Sequence, residues 1–289
     1  MSSQDIIPSL LLNQTFKSYK SNSSLSLSSK LTRKQLEKFR IKLAKFLYQR
    51  YQQNLRNNDS LIIQYESFRD IIPDLTIIND TINNNESRYK IQYLIIKLEN
   101  SRLLPRQILL FVSNQKENDD DDNTNERANT LVLNRMSGMN YQVINDYILE
   151  LLEDINDYPL IIKPITLASS VIPDLINKFL NQIEKLNDLQ LVYSIPSTRL
   201  RNFIIDIPKK DLDLLLLSPK TSSNNPKLYN DICEFLYNTT KIKFNNLIIE
   251  KFINNLINIS NDGKFKLLVN DYELIWYLFE SIKSNVSRV

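Results

Sequence analysis

Between residues 31 and 56 the apolar side chains Leu36, Phe39, Leu43, Phe46 and Leu47 recur three or four positions apart. That spacing puts them on one face of a helix, and Thr32 stands where an N-cap belongs. The period then shortens. "DSLIIQYESF" (59–68) reads as a strand. "SRYKIQYLIIKLEN" (87–100) alternates, with Tyr89, Ile91, Tyr93 and Ile95 on one side. "PRQILLFVSN" (105–114) is a short apolar run, and "NSRLLPR" joins the two as a hairpin connection. "TLVLNRMSG" (130–138) predicts a further strand.

Helical spacing returns in "NYQVINDYILELLEDIND" (140–157), where Val143, Ile144, Tyr147, Leu151 and Ile155 predict one apolar face. Pro159 and Pro164 frame the extended piece "LIIK", and 168–186 predicts a helix with Pro173 in its first turn. "LQLVYSIP" and "LRNFIIDIP" read as strands ended by Pro196 and Pro208. "KKDLDLLLL" and 226–240 read as helices. "KIKFNNLIIEKFINNLINIS" reads as a strand followed by a strand or helix.

Asn261-Asp262-Gly263 follows, holding one of only two glycines in the 289 residues. It predicts a tight hairpin of the two-residue kind, whose turn centres need positive φ. "KFKLLV" then alternates Lys264 and Lys266 with Phe265 and Leu267, a strand with one wet face. Asp271 is the N-cap of a closing helix. The fold class is α+β: an antiparallel sheet with hairpins and packed helices.

Two stretches have little to bury. Residues 18–30 are Ser-rich and read as flexible or weakly extended; "QKENDDDDNTNER" (115–127) reads as a disordered acidic loop. The chain divides on this reading into a flexible segment 1–30, an α+β half 31–114, the acidic loop 115–127 and an α+β half 128–289.

Composition narrows the chemistry by what it lacks. There is no histidine and only one cysteine, Cys233. The usual general base, a cysteine-based zinc site and an internal disulfide are therefore absent. Two glycines cannot build a phosphate-cradling or dinucleotide-binding loop. No cofactor and no metal are expected, and no enzyme unless one built on carboxylates alone. Cys233 reads as a small buried hydrophobe and Trp276 as helix packing. No run of about 18 apolar residues predicts a membrane span, and the N-terminus has no basic region ahead of its apolar run.

A net charge of +3 makes no bulk case for nucleic acid. Locally, Lys34, Lys38, Lys42 and Lys45 share one helical stripe with no obvious acidic partner. Such a stripe is either a solvated face or a ridge of phosphate contacts. Arg199, Arg201, Lys209 and Lys210 form a second, weaker basic group.

The order of elements in the second half adds a likeness. "INDYILELLEDINDYPLIIKPITLASSVIPDLINKFL" is a helix, an extended piece and a second helix. "LQLVYSIP" then "LRNFIIDIP" is a strand ending in Ser-x-Pro and an I-x-I-P strand. "LYNDICEFLYNTTKIKFNNL" and "NDGKFKLLVNDYELIWYLFES" close with a helix, strands and a DGK-x-K-x-L turn. Together, over roughly 140–283, these stretches resemble the centromere protein CENP-L family of the inner kinetochore, fungal type.

The resemblance implies a non-enzymatic scaffold subunit of the nucleus, placed at the centromere and kinetochore of the chromosome. It implies pairing with a CENP-N subunit and membership with other inner kinetochore subunits. The pair helps link the CENP-A nucleosome and centromeric DNA to the outer kinetochore during chromosome segregation. The family's C-terminal β-region engages CENP-N or, in its absence, a second copy of itself. Here that region holds Lys264, Phe265, Lys266, Leu267, Leu268 and Val269, with a second strand edge expected to be open to a partner. The alternative is a nucleic-acid-binding factor outside the kinetochore.

Overall fold

A computed structural model describes residues 10–22, 32–57, 64–84, 87–114, 130–156, 160–178, 187–195, 202–217 and 228–286. The fold is α+β, and its strands pair antiparallel within each of two compact units, Phe16–Pro164 and Met1–Thr15 with Ile165–Val289. The acidic run 115–127 lies outside the described residues, as do 1–9 and 23–31 of the Ser-rich and N-terminal stretches.

The first unit is built on a meander. Strand β1 (Thr15–Ser21) is followed by helix α1 (Arg33–Asn57), then β2 (Asp74–Asn84), β3 (Ser87–Lys97), β4 (Gln107–Asn114), β5 (Thr130–Arg135), helix α2 (Gln142–Asp154) and the short β6 (Ile162–Pro164). The strand order is β2-β3-β4-β5-β1, with β6 pairing the edge of β1 opposite β5. Helix α1 starts as its sequence demands. The Thr32 hydroxyl accepts from Gln35 N–H at 3.3 Å while Gln35 Oε1 accepts from Thr32 N–H at 2.6 Å. This reciprocal pair satisfies two amides the helix cannot. Phe39, Leu43 and Leu47 are fully buried and pack with Leu94, Leu109, Phe111 and Val132 of the sheet and Ile148 and Leu152 of α2. Phe46 stacks on Tyr147 at 3.9 Å.

Residues 64–68 of the strand expected at 59–68 form no strand, and 58–63 lie outside the described residues. Instead Ser67 caps a 3-10 turn, Phe68–Ile71, with Asp70 answering in a capping box. The strand lies further on, as β2, whose eleven residues each face one residue of β3. Residues 18–21, read as flexible or weakly extended, belong to β1, because Phe16 and Tyr19 are buried there. Val143, assigned to the apolar face of α2, is 54% exposed; Ile144, Ile148 and Leu152 do the burying.

The second unit contains α3 (Val171–Lys178), β7 (Leu189–Ser194), β8 (Asn202–Ile207), α4 (Lys209–Leu217), α5 (Leu228–Thr240), β9 (Ile248–Ile253), β10 (Ile257–Ser260), β11 (Lys264–Leu267) and α6 (Tyr272–Val286). The strand order is β11-β10-β9-β7-β8. Residues 179–186 of the helix expected at 168–186 lie outside the described residues. Strands β9, β10 and β11 alternate between the two faces: Ile249, Phe252, Ile259, Phe265 and Leu267 are buried, while Ile248, Lys251, Asn258 and Lys266 are not. Helix α3 packs on α5 and α6, and Leu175, Ile232, Leu278 and Phe279 are buried on these helices. Asp271 caps α6, its Oδ1 accepting from Leu274 N–H at 3.2 Å.

The β10–β11 turn differs from the two-residue kind. Ile259 faces Phe265 and Ile257 faces Leu267, so Asn261, Asp262 and Gly263 form a three-residue connection. Only Gly263 takes positive φ, +79°, and its N–H donates to Ser260 O at 3.0 Å. A type I turn closed by one left-handed residue has this form, and the left-handed place is where glycine is free of Cβ strain. Asp262 joins through its side chain, accepting from Lys264 Nζ at 2.6 Å. Lys264 and Ser260 hold its carboxyl below the usual carboxylate range, against the opposing effect of burial.

Candidate functional site: two basic faces and a strand edge

No described helix is long and apolar enough to cross a membrane. Among the described residues no group of His, Cys, Asp and Glu is placed to hold a metal. Cys233 is buried with its sulfur beside the Tyr193 and Tyr229 hydroxyls, and burial pushes its thiol up, away from the reactive thiolate. The geometry that remains is that of surfaces.

The first surface is the α1 stripe. Lys34, Lys38 and Lys45 are exposed. Lys42 is not free: its ammonium pairs with Asp154 on α2, which draws that carboxyl below its ordinary range. The sequence concealed this partner because the two residues lie 112 positions apart. Lys45 Nζ sits 5.3 Å from the Phe68 ring. Of the weaker basic group, Arg199 and Arg201 lie outside the described residues. Lys210 is exposed, and Lys209 is half-buried at the start of α4, its N–H held by Asp188 Oδ1 at 3.1 Å.

The second surface is the β-region of residues 189–269. Phe265 and Leu267 are buried, Lys264 and Lys266 half-buried, and Leu268 and Val269 lie past the end of β11, half-buried. The expectation that the second edge of β11 is open does not hold at Leu267. There Leu12 pairs with Leu267 in parallel and Asn13 N–H donates to Leu267 O at 2.8 Å. Leu10 and Leu11 are buried, which anchors this N-terminal piece against the strand.

The edge of this sheet is β8 instead. Among the described residues it pairs only with β7, from Leu189–Ile207 to Ser194–Asn202. Its six residues are alternately exposed, and Ile204 is 63% exposed. The alternation of "NFIIDI" was readable; its place at the end of the strand order was not, since that depends on β9 returning to pair with β7.

Among curated proteins none matches this chain. A family model does: CENP-L, Centromere protein L, matches residues 10–287 and so takes in the N-terminal half, where no stretch had pointed to a family. The chain therefore belongs to the CENP-L family and is an inner kinetochore component, found in the nucleus at the centromeres of chromosomes and serving their segregation.

Proposed function

We propose that the chain is a non-enzymatic scaffold that pairs with a CENP-N-like subunit and helps link centromeric DNA to the kinetochore. The observation that supports pairing most directly is β8. Among the described residues no strand pairs with its outer side, so its outward N–H and C=O groups are available to extend the sheet. A partner strand added there would gain main-chain hydrogen bonds. The absence of histidine and of glycine-rich loops accords with a subunit that holds partners.

Neighbouring residues of a strand point their N–H groups to opposite edges. Of Ile205→Pro and Asp206→Pro, one removes an outward donor and spares the β7 ladder. Co-expression with a CENP-N-like subunit, read by size-exclusion chromatography with circular dichroism as folding control, should show one well-folded variant that no longer co-elutes. Full co-elution of both well-folded variants would place the pairing surface away from β8.

DNA contact is proposed for Lys34, Lys38 and Lys45 of α1. Each phosphate neutralised contributes about 0.9 to the slope of log K against log salt. The triple change to Ala should lower the slope for the assembled pair by about three such steps at most. Lys42→Ala should leave it unchanged, because Lys42 already spends its charge on Asp154. An unaltered slope in the triple variant would make the stripe a solvated face.

A further inference from the structure

The second unit's sheet has a face that ordinary strand alternation does not explain. Register fixes its members. Across one row, Asp206 faces Gln190, Gln190 faces Ile253, Ile253 faces Asn258 and Asn258 faces Lys266. Across the next, Ile204 faces Val192, Val192 faces Lys251 and Lys251 faces Ser260. Ile248 continues the face beside Ser194. The Gln190 amide donates to Asp206 at 2.6 Å, which confirms that the two strands present these positions together.

An antiparallel sheet can leave one face to water, and then that face is polar. Here Ile204 is 63% and Ile248 53% exposed, and on β9 Lys251 stands between Ile248 and the half-buried Ile253. The face is mixed: β8 carries Ile204 and Asp206, β9 carries Ile248, Lys251 and Ile253, and β11 carries Lys266, while Val192 at its centre is buried. Beside the lysines is a hollow of about 160 Å³, lined by Thr15, Lys251, Ile253, Ser260, Lys264 and Lys266. No described carboxylate pairs with Lys251 or Lys266, whereas Lys264 is engaged by Asp262. Five strands at about 4.8 Å spacing make the face about 19 Å wide, room for one helix of about 10–12 Å diameter with its flanking side chains.

We propose that this open face docks an amphipathic helix of a partner protein, one that bears carboxylates along one flank of its apolar stripe. The stripe would cover Ile204, Ile248 and Ile253, and the carboxylates would reach Lys251 and Lys266. Such a helix supplies the second layer a sheet with exposed apolar residues lacks. Charge complementarity sets its orientation. DNA fits the face less well, because phosphates would meet three isoleucines and the Asp206 carboxylate. The proposal is separate from strand addition at β8, since it uses side chains of the face and leaves the edge main chain alone.

The test uses the full chain and two fluorescent synthetic helices of about 18 residues. One carries Glu along a flank of a Leu stripe; the other carries Lys at the same places. Anisotropy should show binding of the Glu helix and not of the Lys helix. The affinity should fall at least about tenfold in Lys251→Glu/Lys266→Glu and again in Ile204→Ser/Ile248→Ser, both with unchanged circular dichroism. Absence of binding by the Glu helix, or equal binding of the two helices, overturns the proposal. So does an isoleucine variant that binds normally, or a duplex DNA that binds this face and is lost only in the lysine variant, which would make it a phosphate contact.

Discussion

The two units solve the same problem with different strands. In the first, residues 91–96 of β3, 107–112 of β4 and 130–134 of β5 are buried without interruption. In the second, β10 and β11 bury alternate residues, β9 buries Ile249 and Phe252, and β8 buries Ile207 alone. A strand buried on both faces is committed to holding the fold. A strand buried on one face has side chains left for other contacts, and on the second unit these include Ile204, Ile248, Lys251 and Lys266. Burial is most complete in β3–β5, and the half-exposed strands β8–β11 carry the surfaces proposed for binding.

The sharpest way to break that division is a pair of truncations. Phe111 is 1% exposed and packed among Leu109, Val132 and α1, so Phe111→Ala should cost about 3–5 kcal/mol in lost burial and cavity formation. Ile204→Ala, at a 63% exposed position, should change stability by no more than about 0.5 kcal/mol. Urea denaturation of the two variants checks both. A large loss at Ile204 would mean that the open face is already covered within the chain.

The contrast also explains which parts were legible. Amphipathic α1, α2 and α6 announced themselves through three- and four-residue spacing and through caps at Thr32 and Asp271. The alternating β11 and β3 did so through period two. Strand β2 did not: "DLTIINDTINN" is rich in Asn, Asp and Thr, and Asn and Asp are depleted in strands. Its pairing with β3 overrides local propensity along its whole length. The candidate sites were legible as residue types but not as neighbours. Nothing local to Lys42 reveals Asp154, and nothing local to β11 reveals that Leu12 and Asn13 come back to it.

A buried polar group in the first unit tests the same division from the stabilising side. Asn134 is fully buried on β5, and neither its amide nitrogen nor its oxygen has a hydrogen-bond partner among the described residues. Such a group costs roughly 1–3 kcal/mol. Asn134→Leu should therefore raise the unfolding free energy measured by urea denaturation by up to that amount. A fall would show that the amide is satisfied in solution. In the second unit the comparable position is the turn rather than the core. Gly263→Val forces a β-branched residue to φ +79° and should cost about 1–3 kcal/mol. It should also disturb Lys264 and Lys266, so binding of the acidic helix should weaken before the chain unfolds.

The smallest effect is expected at Lys241, immediately after α5. Its φ is +62°, and its N–H donates to Tyr237 O at 2.8 Å, closing the helix in a left-handed turn. Glycine is the residue that this position favours, because no Cβ meets the neighbouring carbonyl. Lysine holds the place with its ammonium 5.8 Å from the Tyr237 ring, a contact worth about 0.5–1 kcal/mol at an exposed site. Relief of left-handed strain by Lys241→Gly is worth about 1 kcal/mol, offset by the greater freedom of glycine in the unfolded chain and by loss of the ring contact. The net change in thermal midpoint should therefore be close to zero, while Lys241→Asn, which tolerates the same φ, should behave alike. A clear loss in both variants would show that the ammonium over Tyr237 fixes the end of α5, and would extend the stabilising role of the second unit to a surface that the comparison leaves to binding.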